Sequence, residues 1–120
     1  MEQFKLGEME QKFADIIWEC QPISSGELVK ICETKLSWKK STTYTMLKRL
    51  CQRNIFENKN GVVISLMSKE DFSVSQGEEF LNESFSGSLP MFLTAFTKRK
   101  KMSEKERLEI KKLIDEYQED

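Results

Sequence analysis

Apolar residues recur at steps of three and four through Leu6, Met9, Phe13, Ile16, Ile17 and Cys20, which predicts an amphipathic helix over about residues 7–20, ended by Pro22. Ser24-Ser25-Gly26-Glu27 then reads as a capping box, with Ser24 as N-cap and Ile23 and Leu28 placed for a hydrophobic staple. The second helix carries Leu28, Val29, Ile31 and Cys32 and ends near Lys35. A third helix is predicted over 40–53, with Thr43, Met46, Leu47 and Leu50 on one stripe and Ser41, Thr42, Tyr44, Thr45 and Lys48 on the opposite face. Trp38, just before it, is read as a core anchor. Two short apolar runs, 55–59 and 62–66, flank Asn60-Gly61, the pair that favours the two positive φ angles of a type I′ turn, so a hairpin is expected with Lys59 opposite Val62 and Glu57 opposite Ile64.

From Asp71 the pattern changes. Phe72, Phe80, Phe85, Phe92 and Phe96 are five of the eight phenylalanines, set with Leu81, Leu89, Met91 and Leu93 on short helical segments broken at Ser86-Gly87-Ser88. Lys98-Arg99-Lys100-Lys101 forms a basic linker. Ser103 and Glu106 then make a second capping box opening a last helix with Leu108, Ile110, Leu113, Ile114 and Tyr117 as its apolar positions.

Three helices followed by a hairpin is the order of a winged helix-turn-helix. The expected fold is therefore mainly α with a small β-hairpin wing: a winged helix-turn-helix over residues 1–70 and a helical dimerisation region over 71–120. A C-terminal segment this short and this aromatic cannot bury itself alone. Phe80, Leu81, Phe85, Leu89, Phe92, Phe96, Leu108, Leu113, Ile114 and Tyr117 are accordingly expected at a homodimer interface.

Charge sharpens this picture. The net charge is −1, yet residues 34–68 hold seven basic residues against one acid, and no acid occurs between Glu33 and Glu57. A charge run alone is usually a solvated face. Here it coincides with the third helix, the element that enters the major groove in this fold. Lys39, Lys40, Lys48, Arg49 and Lys59 are expected to meet phosphates.

Composition excludes other classes. The chain has no histidine, and its three cysteines, Cys20, Cys32 and Cys51, show no C-x-x-C spacing and read as buried small hydrophobes. No metal and no cofactor are expected. With no Gly-rich phosphate loop and no acid pair in a recognisable cleft motif, an enzyme has little support. No run approaches the roughly 18 apolar residues of a membrane span. The start, Met1-Glu2-Gln3-Phe4-Lys5, lacks a basic-then-apolar leader pattern. The expected compartment is the cytoplasm. A winged-helix protein-interaction module without operator-specific DNA binding stays open as the alternative.

Three stretches carry a family resemblance. Ala14-Asp15-Ile16-Ile17-Trp18, the segment from Trp38 through Thr42, Thr43, Arg49 and Leu50, and the segment from Phe80 to Ser88 followed by Phe96 resemble, in order and separation, the penicillinase-repressor family (BlaI/MecI/CopY type). The resemblance runs from about Leu6 to Tyr117. It implies a dimeric transcriptional repressor of a resistance or sensor operon, acting on a palindromic double-stranded operator. It implies that Ser41, Thr42 and Tyr44 sit where family members touch base edges, with Thr45 on the same face, while Lys48, Arg49 and Lys59 approach phosphates. Thr42 offers a hydroxyl and a methyl suited to thymine, and Tyr44 a long hydroxyl donor. Better-known members carry basic residues where Ser41 and Tyr44 stand. Their wing is about two residues longer by alignment, and Asn54 replaces a frequent glycine. The copper-responsive branch's C-terminal cysteine cluster is absent. In the β-lactam branch a membrane sensor-protease, directly or indirectly, triggers cleavage at an Asn-Phe bond. The matching bond here is Ala95-Phe96, which keeps only the Phe.

Overall fold

In a computed structural model, residues 4–119 are described. Met1–Gln3, part of the start read above for a leader, lie outside them.

Helix α1 (Glu8–Cys20) opens where the Gly7 N–H donates to Glu10 Oε1 at 3.0 Å and presents Phe13, Ala14, Ile16 and Ile17 to the core. A two-residue strand β1 (Ile23–Ser24) leads directly into α2 (Ser25–Leu36). The predicted cap is present: Ser24 Oγ accepts the Glu27 N–H at 3.1 Å, and Ile23 and Leu28 are both buried. Ser37 in the left-handed region ends α2. Helix α3 (Lys40–Gln52) buries Thr43, Leu47 and Leu50, and Asn54 at φ 61 turns the chain into the hairpin. Asn accepts that conformation because its side chain satisfies the backbone locally.

The wing is β2 (Phe56–Lys59) and β3 (Val62–Ser65), joined by Asn60 at φ 55 and Gly61 at φ 83. Both expected pairs, Lys59 with Val62 and Glu57 with Ile64, are present. The hairpin is not isolated. β1 pairs antiparallel with β3, Ile23 to Val63 and Ser24 to Val62, giving a three-stranded sheet in the order β1-β3-β2. The sequence pattern predicts only the hairpin, because two residues are too few to show an alternation.

The chain divides into two compact units, residues 1–79 and 80–120, and the division falls inside α4 (Lys69–Ser84). The first unit has a continuous core from α1, α2, α3 and the sheet, closed by Phe72 of α4. Phe72, which the sequence pattern groups with the C-terminal aromatics, is thus a core residue of the first unit. Its ring lies 5.4 Å from Trp18 and 5.7 Å from Phe4, while Trp18 also packs on Phe56 and donates Nε1–H to the Met67 carbonyl at 3.0 Å. Trp38 anchors the start of α3 against Phe13, ring centres 5.2 Å apart.

The second unit contains α5 (Leu89–Arg99) and α6 (Glu104–Asp115), capped by Ser88 and by Ser103, whose Oγ accepts the Glu106 N–H at 3.0 Å. Phe80, Phe85, Phe92 and Phe96 form a ladder of rings with centres 5.4–5.8 Å apart. Even so, none of the described residues of this unit is buried. Leu89, Met91, Leu108, Leu113, Ile114 and Tyr117 all stand more than half exposed, from 51% to 73%.

One expectation is corrected outright. Cys20, read as a buried small hydrophobe, is exposed on the last turn of α1, where the chain leaves the helix at Gln21 and Pro22. Cys32 is buried and Cys51 half-buried.

Candidate nucleic-acid interface

The periodicity of α3 sorts its side chains by face. Thr43, Leu47 and Leu50 point into the core, so Ser41, Thr42, Tyr44, Thr45 and Lys48 are turned outward, and all five are exposed. Lys39 and Lys40 stand exposed at the start of the helix, whose first turn carries no acid. Lys59 stands exposed at the end of β2, beside the wing turn. Among the described residues, none of these four lysines is held in an ion pair.

Arg49 differs. Its guanidinium Nη1 lies 4.0 Å from Oε2 of Glu10, whose other oxygen accepts the Gly7 N–H. Glu10 is largely buried, and Arg49 half-exposed, so part of the arginine's charge is answered from α1. Nothing in the sequence marks Glu10 apart from the other first-turn acids.

Tyr44 also differs from the expectation that its hydroxyl is a free donor. It donates that proton to Ser25 Oγ at 3.2 Å, across to the first residue of α2. Ser25 in turn donates its backbone N–H to the Gly61 carbonyl in the wing turn at 2.8 Å. The sequence gives no hint of this, since Ser25 reads only as part of a helix cap.

Between α3 and the wing runs a cleft of about 580 Å³, floored by Leu47, Cys51, Phe56 and Leu66 and edged by Tyr44 and Lys48. Burial pushes the Cys51 thiol up, with a smaller push from Glu57, while a backbone hydrogen bond at Asn58 partly opposes both. Burial likewise raises Cys32, with the Thr43 hydroxyl opposing it. Both thiols are therefore held protonated, which makes them poor nucleophiles and poor metal ligands. Among the described residues no group of three or more Cys, Asp or Glu side chains is arranged to hold a metal ion. No described helix is long and apolar enough to cross a membrane.

The outward face of α3 thus combines hydroxyls, one phenol and unpaired cations, with one more cation on the wing. Hydroxyl and phenol groups suit base edges, and free lysines suit phosphates. Ala95 and Phe96 lie inside α5, where the Phe96 ring packs on Phe92.

The family described as "Penicillinase repressor" matches residues 6–116. The methicillin resistance regulatory protein MecI of Staphylococcus aureus (strain Mu50 / ATCC 700699) is 20% identical over 116 residues, covering 93% of this chain and 94% of MecI. With a winged helix-turn-helix in the first unit and a match over nearly its whole length, the chain belongs to the penicillinase-repressor family of transcriptional repressors.

Proposed function

We propose that this repressor binds a palindromic double-stranded operator as a homodimer, each protomer laying α3 in a major groove about one helical turn from the other. The observation that carries this reading is the exposed, carboxylate-free face of α3, with Lys39, Lys40 and Lys48 outside any ion pair among the described residues and Lys59 on the adjoining wing. Ser41, Thr42, Tyr44 and Thr45 touch bases, while the four lysines and, less freely, Arg49 neutralise phosphates. The likeness to MecI favours control of β-lactam resistance or a related sensor operon.

Twofold pairing is favoured by the second unit. Phe80, Leu81, Phe85, Leu89, Phe92, Phe96, Leu108, Leu113, Ile114 and Tyr117 are all half-buried or exposed in the protomer. Each apolar Å² covered is worth about 25 cal/mol. Covering these side chains with a second copy is the simplest way to gain that energy while matching a palindrome.

Induction through a membrane sensor-protease, directly or indirectly, and cleavage at Ala95–Phe96 belong to the same reading. Because that bond lies within α5, its cutting calls for local opening of the helix first.

Two substitutions test the division of labour on α3. Thr42→Ala is expected to lower discrimination between operator and random duplex by about 1–3 kcal/mol. Lys48→Ala is expected to weaken binding to all duplexes alike and to flatten the plot of log affinity against log salt by about one unit per protomer. Titrations of labelled duplexes at several salt concentrations read both. Equal losses on operator and random DNA for Thr42→Ala contradict its reading role. A sequence-selective loss for Lys48→Ala contradicts a phosphate contact. A protein-interaction module would give no salt-dependent duplex binding in either case.

A further inference from the structure

Tyr44 and Lys48, both on the outer face of α3, also line the cleft of about 580 Å³ between that helix and the wing. Small-molecule sites run from about 300 to 1,000 Å³ and set a few polar groups around an apolar lining. This cleft has that composition. Leu66 stands 49% exposed in it and Cys51 is half-buried, so an apolar surface is left uncovered between the two elements. The ring of Tyr44, 36% exposed, adds an aromatic edge. Two opposite charges complete the lining: Lys48 from α3, and the half-buried Glu57 from β2. Among the described residues neither is held in an ion pair, with the other or with a third group. The charge of Glu57 is felt at the Cys51 thiol, which agrees with a carboxylate turned toward the cleft.

We propose that this cleft binds a free amino acid with a large apolar side chain, its carboxylate on Lys48, its ammonium on Glu57 and its side chain against Leu66, Cys51 and the Tyr44 ring. A plain apolar anion answers Lys48 and is repelled by Glu57. A plain apolar amine answers Glu57 and is repelled by Lys48. A zwitterion satisfies both ends with charge-assisted hydrogen bonds. Occupation of the cleft also bears on DNA, a consequence that rests on the DNA-binding reading above. A Lys48 engaged by a ligand carboxylate is withdrawn from phosphate, and a molecule against Tyr44 stands where a base edge approaches. Amino acid and duplex therefore exclude one another, and each lowers the other's affinity.

Calorimetric titration of the full-length protein with L-phenylalanine, 3-phenylpropionate and phenethylamine tests the site without DNA. The three probes share the ring and differ in carrying both charges, only the anion or only the cation. L-Phenylalanine is expected to bind once per protomer, about fivefold more tightly than either analogue, the worth of one exposed ion pair. Lys48→Ala makes L-phenylalanine and phenethylamine bind alike, and Glu57→Gln makes L-phenylalanine and 3-phenylpropionate bind alike. Leu66→Ser weakens all three probes. Circular dichroism checks that each variant is folded. Absence of L-phenylalanine binding overturns the inference. So does equal binding of the three probes to wild type, which marks an apolar patch without charge recognition, or a preference that survives both charge substitutions. Duplex titration then reads the exclusion: L-phenylalanine at ten times its dissociation constant is expected to lower duplex affinity about tenfold per occupied protomer. An unchanged duplex affinity overturns the exclusion. If the protein binds no duplex at all, the DNA-binding reading fails while the calorimetry still decides the amino-acid site.

Discussion

Leu113→Asp is expected to turn the proposed dimer into a monomer and to remove most of its operator affinity. Leu113 is 72% exposed in the protomer, beside Ile114 at 61%, so a charged residue there leaves the protomer's own packing intact. In the proposed dimer the same position is covered, and an unpaired carboxylate buried in an apolar interface costs about 3–5 kcal/mol. A twofold dimer holds two such carboxylates, so the dimerisation constant falls by roughly four to seven powers of ten. Binding to a two-half-site operator then falls steeply, because each winged helix must find its half-site without the other. Sedimentation equilibrium and operator titration read the two effects. A variant that keeps the dimer mass contradicts the assignment of α6 to the interface. A wild-type protein that is monomeric at micromolar concentration contradicts the dimer itself.

The second large effect is expected in the other unit. Phe13 is fully buried and packs on Trp38, the residue that seats the start of α3. Phe13→Ala removes a large, fully buried ring from the core, at a cost of about 3–5 kcal/mol. A small domain has roughly 5–15 kcal/mol in total. The variant is expected to be close to unfolding at 37 °C and to lose DNA binding through loss of the fold. Urea unfolding followed by circular dichroism measures it, and a loss under about 1 kcal/mol contradicts the account of the core. Thr42→Ala, by contrast, alters an exposed side chain and leaves the unfolding midpoint in place.

The contrast between these residues explains what the sequence made legible. Three helices, the hairpin and its register follow from local chemistry: Ser24 and Ser103 are caps, and Asn60-Gly61 is a turn that only certain residues form easily. The outward face of α3 follows from helical period and the lack of acids between Glu33 and Glu57. What escaped is set by tertiary contact. β1 is two residues long and exists because β3 lies beside it. Phe72 looks like its aromatic neighbours along the chain and is distinguished only by Trp18 and Phe4 closing around it. Cys20 continues an apolar stripe into the last turn of α1, where the chain leaves the helix, and it stays exposed. The partners of Tyr44 and Arg49 lie 19 and 39 positions away, on α2 and α1. No periodicity within α3 carries information about them, yet they alter what each side chain has left to offer DNA.

The most direct test of the DNA-binding claim is a titration of duplex DNA with the wild-type protein across a range of salt concentrations, followed by fluorescence anisotropy. Two copies of Lys39, Lys40, Lys48 and Lys59 meeting phosphates predict a slope of log affinity against log salt on the order of −7. Absence of binding at about 50 mM salt, or a slope near zero, contradicts the claim that the outer face of α3 meets nucleic acid.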